Sequence, residues 1–186
     1  LYGAGQLARR LKIPYRSGGG LCGSKITDAQ AAYETSNSLN AGLMGGVNFM
    51  LHSCGWLEGG LVTSIEKFIM DADQLGILDS LSKGIDVEES DLAFEAIKDV
   101  GAGGHFLGCD HTQKNFKSAF WRSDILNYKP FETWQEEGEK DLTFEANKKA
   151  EQLLKNYEPP ELELSKREEL KEYVLKKKSS MPDAFV

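Results

Sequence analysis

Val47 to Glu66, VNFMLHSCGWLEGGLVTSIE, is the stretch whose reading decides the fold. Val47–Leu51 is an apolar run of strand length. His52–Gly60 is polar and glycine-rich, and a helix is predicted to start near Thr63. Thr63 with Glu66 three positions on makes a capping box, in which hydroxyl and carboxylate each take up a free backbone N–H. The order is therefore strand, loop, helix. In α/β proteins the loop after a strand's carboxyl end is where ligands bind. Here that loop carries His52, Ser53, Cys54, Trp56 and Glu58.

The flanks extend the pattern. In LYGAGQLARRLKIPY, Leu7, Ala8 and Leu11 form a helical stripe that Pro14 ends. Ile13–Arg16 reads as a short strand, followed by SGGGLCGS, where glycines let the backbone pass close to a ligand or another element. Thr27 and Gln30 form a second capping box, opening a helix that runs to about Met44 and stops at Gly45-Gly46. After the central loop, Ile65, Phe68, Ile69 and Ala72 share one helix face and are expected to be buried. Helix–strand–helix–strand–helix over 1–76 predicts an α/β fold with parallel strands, Ile13–Arg16 beside Val47–Leu51.

Residues 1–80 thus read as βα units and 81–186 as a mainly helical segment of the same domain. Helices are expected over Asp86–Val100, Asn115–Trp121 and Thr143–Tyr157. Ser165 with Glu168 is expected to cap a last one, and Asn127–Glu137 is expected to be irregular. The chain opens on Leu1, in what reads as the end of a helix, so it is expected to be the C-terminal piece of a longer protein.

Composition narrows the function. The 186 residues carry a net charge of −7, which argues against general nucleic-acid binding. No apolar run reaches the roughly 20 residues that span a bilayer, so no membrane partner is expected. The three cysteines, Cys22, Cys54 and Cys109, have no disulfide framework and are expected to be reduced thiols in a cytoplasmic protein.

Four constellations carry chemistry. Trp56 and Glu58, two apart in the loop, pair an aromatic face with a carboxylate, which suits a cation that offers no N–H. His52 and Tyr15 are their expected neighbours at strand ends. Against this stands a structural role for Trp56, as a lid on the sheet end. His52, Cys54 and Cys109 resemble a zinc ligand set, with a buried thiol and a hydrogen-bonded histidine as the alternative; no metal is expected. His105 and His111 are expected to bond locally, with Asp110 or Thr112 capping the next helix. SGGGLCGS lacks the order of a phosphate loop.

Lys25-Ile-Thr-Asp-Ala-Gln-Ala-Ala-Tyr-Glu34, Gly55-Trp-Leu-Glu-Gly-Gly60 with Ser64 and Glu66, Gly104-His-Phe-Leu-Gly108 with His111-Thr112, and the run from Trp134 through Tyr157-Glu-Pro-Pro160 follow one another in order. Together they resemble the trimethylamine methyltransferase family. The resemblance implies the C-terminal part of a (β/α)8 TIM barrel, followed by a helical C-terminal extension. It implies transfer of a methyl group from a small methylated amine to the cobalt of a separate corrinoid protein. The corrinoid would be carried by that partner, with no cofactor bound directly, and a homo-oligomer is expected. Some members carry pyrrolysine, whereas others are similar to glycine betaine methyltransferases; this sequence shows only standard residues, which favours the second group. A quaternary ammonium leaves as a neutral amine and needs no general acid. The protein has only to orient it, exclude water and admit the cobalt in line. The alternatives are a zinc-dependent thiol methyltransferase and an inactive structural or oligomer-forming fragment. The roles given to Trp56, Glu58, His52 and Tyr15 come from their loop positions.

Overall fold

Pro14 cannot continue a helix, and in the computed structural model the first helix has ended before it. The structure describes residues 1–85, 87–89 and 91–181. Helix α1 (Tyr2–Leu11) closes on Lys12, whose left-handed backbone returns its N–H to Ala8 and Arg9. Gly5 and Ala8 are its buried residues. A Cβ on Gly5 would lie 2.3 Å from the Gly45 carbonyl oxygen, so only glycine allows this approach. Arg9 donates to the same oxygen and fixes α1 on the end of α2 (Ala29–Met44).

Between these helices the chain runs beside the central stretch. Arg16 and Phe49 form a parallel bridge, flanked by Asn48 N–H to Tyr15 O (2.8 Å) and Gly20 N–H to His52 O (2.8 Å). The two expected strands are adjacent and parallel, but they shrink to one isolated bridge. Asn48 explains part of this, since its side chain takes the Tyr15 N–H in place of a backbone carbonyl. The glycines explain more: Gly19 sits at φ +124, and a Cβ there would be 2.1 Å from Leu51 O. The SGGG turn thus serves close approach of two backbones.

His52–Gly60, expected as an open loop, holds a small hairpin. β1 (Trp56–Leu57) pairs antiparallel with β2 (Val62–Thr63) across a tight turn, Glu58–Gly60, whose residues all have positive φ. Helix α3 (Ile65–Lys83) follows, and α2 packs against it. Cys22, Ala31 and Leu57 form a buried apolar cluster where the glycine turn, α2 and the hairpin meet. The buried face of α3 differs from the expected one. Lys67, Asp71 and Leu78 are buried, while Ile65, Phe68 and Ala72 are exposed and Ile69 is half-buried. Hydrogen bonds decide this: the glycine turn and the hairpin present backbone polar groups to α3, and polar side chains answer them.

Beyond α3, helices α4 (Phe94–Val100), α5 (Asp110–Asn115) and α6 (Phe131–Glu136) are short, with no buried residue. The helix expected from Asp86 begins only at Phe94, and Asp86 itself lies outside the described residues. Of the helix expected over Asn115–Trp121 only Asn115 is helical, as the last residue of α5. Part of Asn127–Glu137, expected to be irregular, is α6. Trp121 instead lies against α3, where a Cβ on Gly76 would meet its ring at 2.7 Å. Helix α7 (Leu142–Lys155) buries Ala146 and Ala150, and Asn147 donates to Glu66 of α3.

The chain divides into two units, residues 1–152 and 153–186. The second contains α8 (Leu164–Ser180), which has no buried residue. Its N-cap is Glu163 without a side-chain cap bond, so the expected Ser165 cap is not formed. No helix among the described residues is long and apolar enough to cross a membrane.

Candidate functional site

The hairpin after the parallel bridge carries Trp56 and Glu58, and His52 lies just before it at the end of the parallel segment. Its backbone is tied to the glycine turn: Glu58 N–H donates to Ser24 O (2.8 Å), Gly59 N–H to Cys22 O (2.7 Å), and the Cys22 thiol to Trp56 O (3.3 Å). His52 and Trp56 meet ring edge to ring face, with centroids 5.4 Å apart and planes at 83°. His52 and Glu58 both have left-handed backbones, at φ 54 and φ 49. Such values are uncommon outside glycine and are held in place by surrounding contacts. Trp56 and Glu58 are half-buried and His52 is exposed. Among the described residues, no hydrogen bond or ion pair occupies the Glu58 carboxylate. The loop therefore carries an indole, an imidazole set nearly at right angles to it and, among the described residues, an uncommitted carboxylate.

Tyr15 is placed differently. Its backbone pairs with Asn48, at the opposite end of the parallel segment from the Gly20–His52 bond. Among the described residues, no hydrogen bond or ring contact joins Tyr15 to the hairpin. The zinc-like set is not assembled either: among the described residues no three His, Cys, Asp or Glu side chains gather as metal ligands. Cys109 stands at the N-cap position of α5 without a side-chain cap bond, and its thiol shares a 3.2 Å hydrogen bond with the Thr112 hydroxyl.

Beneath the hairpin lies a polar network that the sequence reading missed. Lys67 is 1% exposed, Thr35 2% and Asp71 5%. The Lys67 ammonium donates to Asp71 Oδ2 (2.5 Å), Thr35 Oγ1 (2.8 Å) and Gly20 O (3.3 Å), which uses all three of its protons. Asp71 Oδ2 also accepts the Gly55 N–H at 2.8 Å, and Thr35 donates to Gly20 O at 3.0 Å. Burial raises the Asp71 carboxyl above its ordinary range, opposed by hydrogen bonds from Lys67 and Gly55. Burial, with the Asp71 charge beside it, pushes the Cys54 thiol up to about 11 against the pull of Lys67. Lys67 and Asp71, four apart in a helix, read as an ordinary surface pair. The usable signal was their register with Leu78 at i, i+4 and i+11, facing two glycine-rich turns whose backbone groups need partners.

A second feature is a cleft of about 720 Å³ beside α4 and α5, lined by the acidic Glu89, Asp91, Glu95, Asp99 and Asp110 together with Lys114, His111 and Phe94.

Comparison with known proteins places the chain. Residues 1–182 match the family described as trimethylamine methyltransferase. The chain belongs to that family. It is 43% identical over 158 residues to a glycine betaine methyltransferase of Desulfitobacterium hafniense, covering 85% of this chain and 33% of that protein. It is 31% identical over 160 residues to a trimethylamine methyltransferase of the same species, covering 86% and 32%. A trimethylamine methyltransferase of Methanosarcina barkeri is 31% identical over 155 residues, covering 82% and 30%. The chain spans about a third of the length of these curated relatives.

Proposed function

We propose that this chain is part of a methyltransferase that moves a methyl group from a quaternary amine of the glycine betaine class to the cobalt of a separate corrinoid protein. The observation that carries the reading is its greater likeness to the glycine betaine methyltransferase, 43% against 31% for the trimethylamine enzymes. We read the parallel pairing of residues 15–20 with 48–52, and the helices after each segment, as βα units of a (β/α)8 barrel. In such a barrel the loops at the strands' carboxyl ends face the substrate. Three free cysteines suit a reducing cytoplasm.

The chemistry fits the residues. A quaternary ammonium has no N–H to donate, so an aromatic face and a negative charge must hold it. Trp56 supplies the face and Glu58 the charge, while the His52 ring stands nearly at right angles to the indole. The departing amine is neutral, so no general acid is required. What the site must do is fix the methyl–nitrogen bond in line with the acceptor.

A desolvated cation–π contact is worth about 2 kcal/mol or more, and losing 2 kcal/mol weakens binding roughly 30-fold. Trp56→Ala and Glu58→Gln in the intact protein are each expected to reduce the affinity for glycine betaine to that extent by calorimetry, with folding retained. Unchanged affinity in both variants would reject the hairpin as the amine site.

A further inference from the structure

A lysine–aspartate pair four apart on an exposed helix face contributes little to stability. Burying both charges has a desolvation cost that apolar residues of the same size would avoid. Stability alone therefore gives little reason for Lys67 and Asp71 to be where they are. What an apolar pair cannot do is hold backbone atoms. Lys67 takes the carbonyl of Gly20, and Asp71 takes the N–H of Gly55. Gly20 ends the glycine turn; Gly55 directly precedes Trp56. The Gly20 N–H in turn bonds the carbonyl of His52. The network thus grips the candidate loop at its first residue and immediately before its indole.

We propose that the Lys67–Asp71 pair is a positioning device for the amine site: it fixes Gly55, and with it Trp56, against the Gly18–Gly20 turn. The inference rests on the reading of Trp56 and Glu58 as the amine-binding groups. Asp71 is the sharper half. One oxygen, Oδ2, receives both the Lys67 ammonium and the Gly55 N–H. Any movement of α3 along its axis is therefore passed to the residue before Trp56.

Two double variants of the intact protein separate positioning from mere stability. Lys67→Met with Asp71→Leu leaves no buried charge and no acceptor for Gly55. Lys67→Met with Asp71→Asn also leaves no charge but keeps an acceptor. Amide exchange across residues 53–57, read by mass spectrometry, is expected to be about tenfold faster in the leucine version than in the asparagine version. The dissociation constant for glycine betaine is expected to be at least about fivefold weaker in the leucine version, and largely restored by asparagine. Placed on Trp56→Ala, the same two pairs are expected to bind equally, because positioning acts through that indole. Equal exchange in the two versions, or equal affinity with Trp56 present, overturns the inference. Unchanged affinity in both Trp56→Ala and Glu58→Gln, each made without these pairs, overturns the site reading instead, so the two failures appear in separate measurements.

Discussion

Three thiols in this chain stand in three electrostatic settings, and their reactivity should differ accordingly. Cys22 is buried, donates to the Trp56 carbonyl, and is raised in pKa mainly by burial. Cys54 is pushed up to about 11, so it is protonated throughout the neutral range. Cys109 goes the other way, because hydrogen bonds from Thr112 favour its thiolate. The thiolate is the reacting form. Iodoacetamide at mildly alkaline pH is therefore expected to label Cys109 first in the native protein, with Cys22 and Cys54 labelled only on unfolding. Peptide mapping over a time course checks the order, and equal rates for Cys54 and Cys109 would contradict it. The sequence showed that all three are thiols without partners in a disulfide framework. It could not show their order of reactivity, which depends on Lys67, Asp71 and Thr112 lying where the fold puts them.

At the scale of the element, the two longest helices of the first unit began one residue later than expected, for a shared reason. Asp28, not Thr27, caps α2 by accepting the Ala31 N–H; Ser64, not Thr63, caps α3 by accepting the Lys67 N–H. Asp and Ser cap better than Thr, so when two candidates adjoin the better acceptor takes the position. The displaced Thr27 bonds across to Ser64 and joins the two helix starts, while Thr63 enters β2. Ser64→Ala should cost about 1 kcal/mol, lowering Tm by roughly 2–4 °C for a chain of this size. Thr63→Ala should change little, and an equal loss from it would refute the cap assignment. The caps also set a pH dependence. Asp28 lies below its ordinary 3.8, chiefly through the Ala31 N–H and then Ser24, and Glu66 is lowered by Asn147 first. A carboxylate depressed on folding contributes stability above its unfolded value, and that contribution is lost as pH falls through the folded value. Acid unfolding should accordingly begin earlier in Asp28→Asn at mildly acidic pH and flatten below 3.8. The helices from residues 29, 65 and 142 were legible because caps and periodicity are local signals. The hairpin at Trp56–Thr63 was not, since strands two residues long carry no periodicity. Nor was the buried face of α3, because hydrophobic spacing pointed to Ile65 and Phe68 while backbone hydrogen-bond demand selected Lys67 and Asp71.

For the molecule as a whole, the consequence of that choice is a surface. Ile65 and Phe68 are 60% and 54% exposed, and Leu61 and Val62 just before them are 83% and 41% exposed. Scattered exposed apolar residues are ordinary, but four within eight positions on one hairpin and the helix it feeds make a candidate contact surface. The relatives are about three times the aligned length, which leaves ample further chain in such proteins to cover it. Residues 1–186 produced alone are therefore expected to self-associate and to bind an apolar dye. The net charge of −7 opposes association, and salt screens that repulsion over a Debye length of about 8–10 Å. Sedimentation velocity should thus show more association at high salt than at low salt, the reverse of an assembly held by ion pairs. Ile65→Lys with Phe68→Lys should lower both association and dye binding without loss of helix content, because neither side chain is in the buried network. A monodisperse monomer at both salt levels, with no dye bound, would mean that this apolar face is not a contact surface.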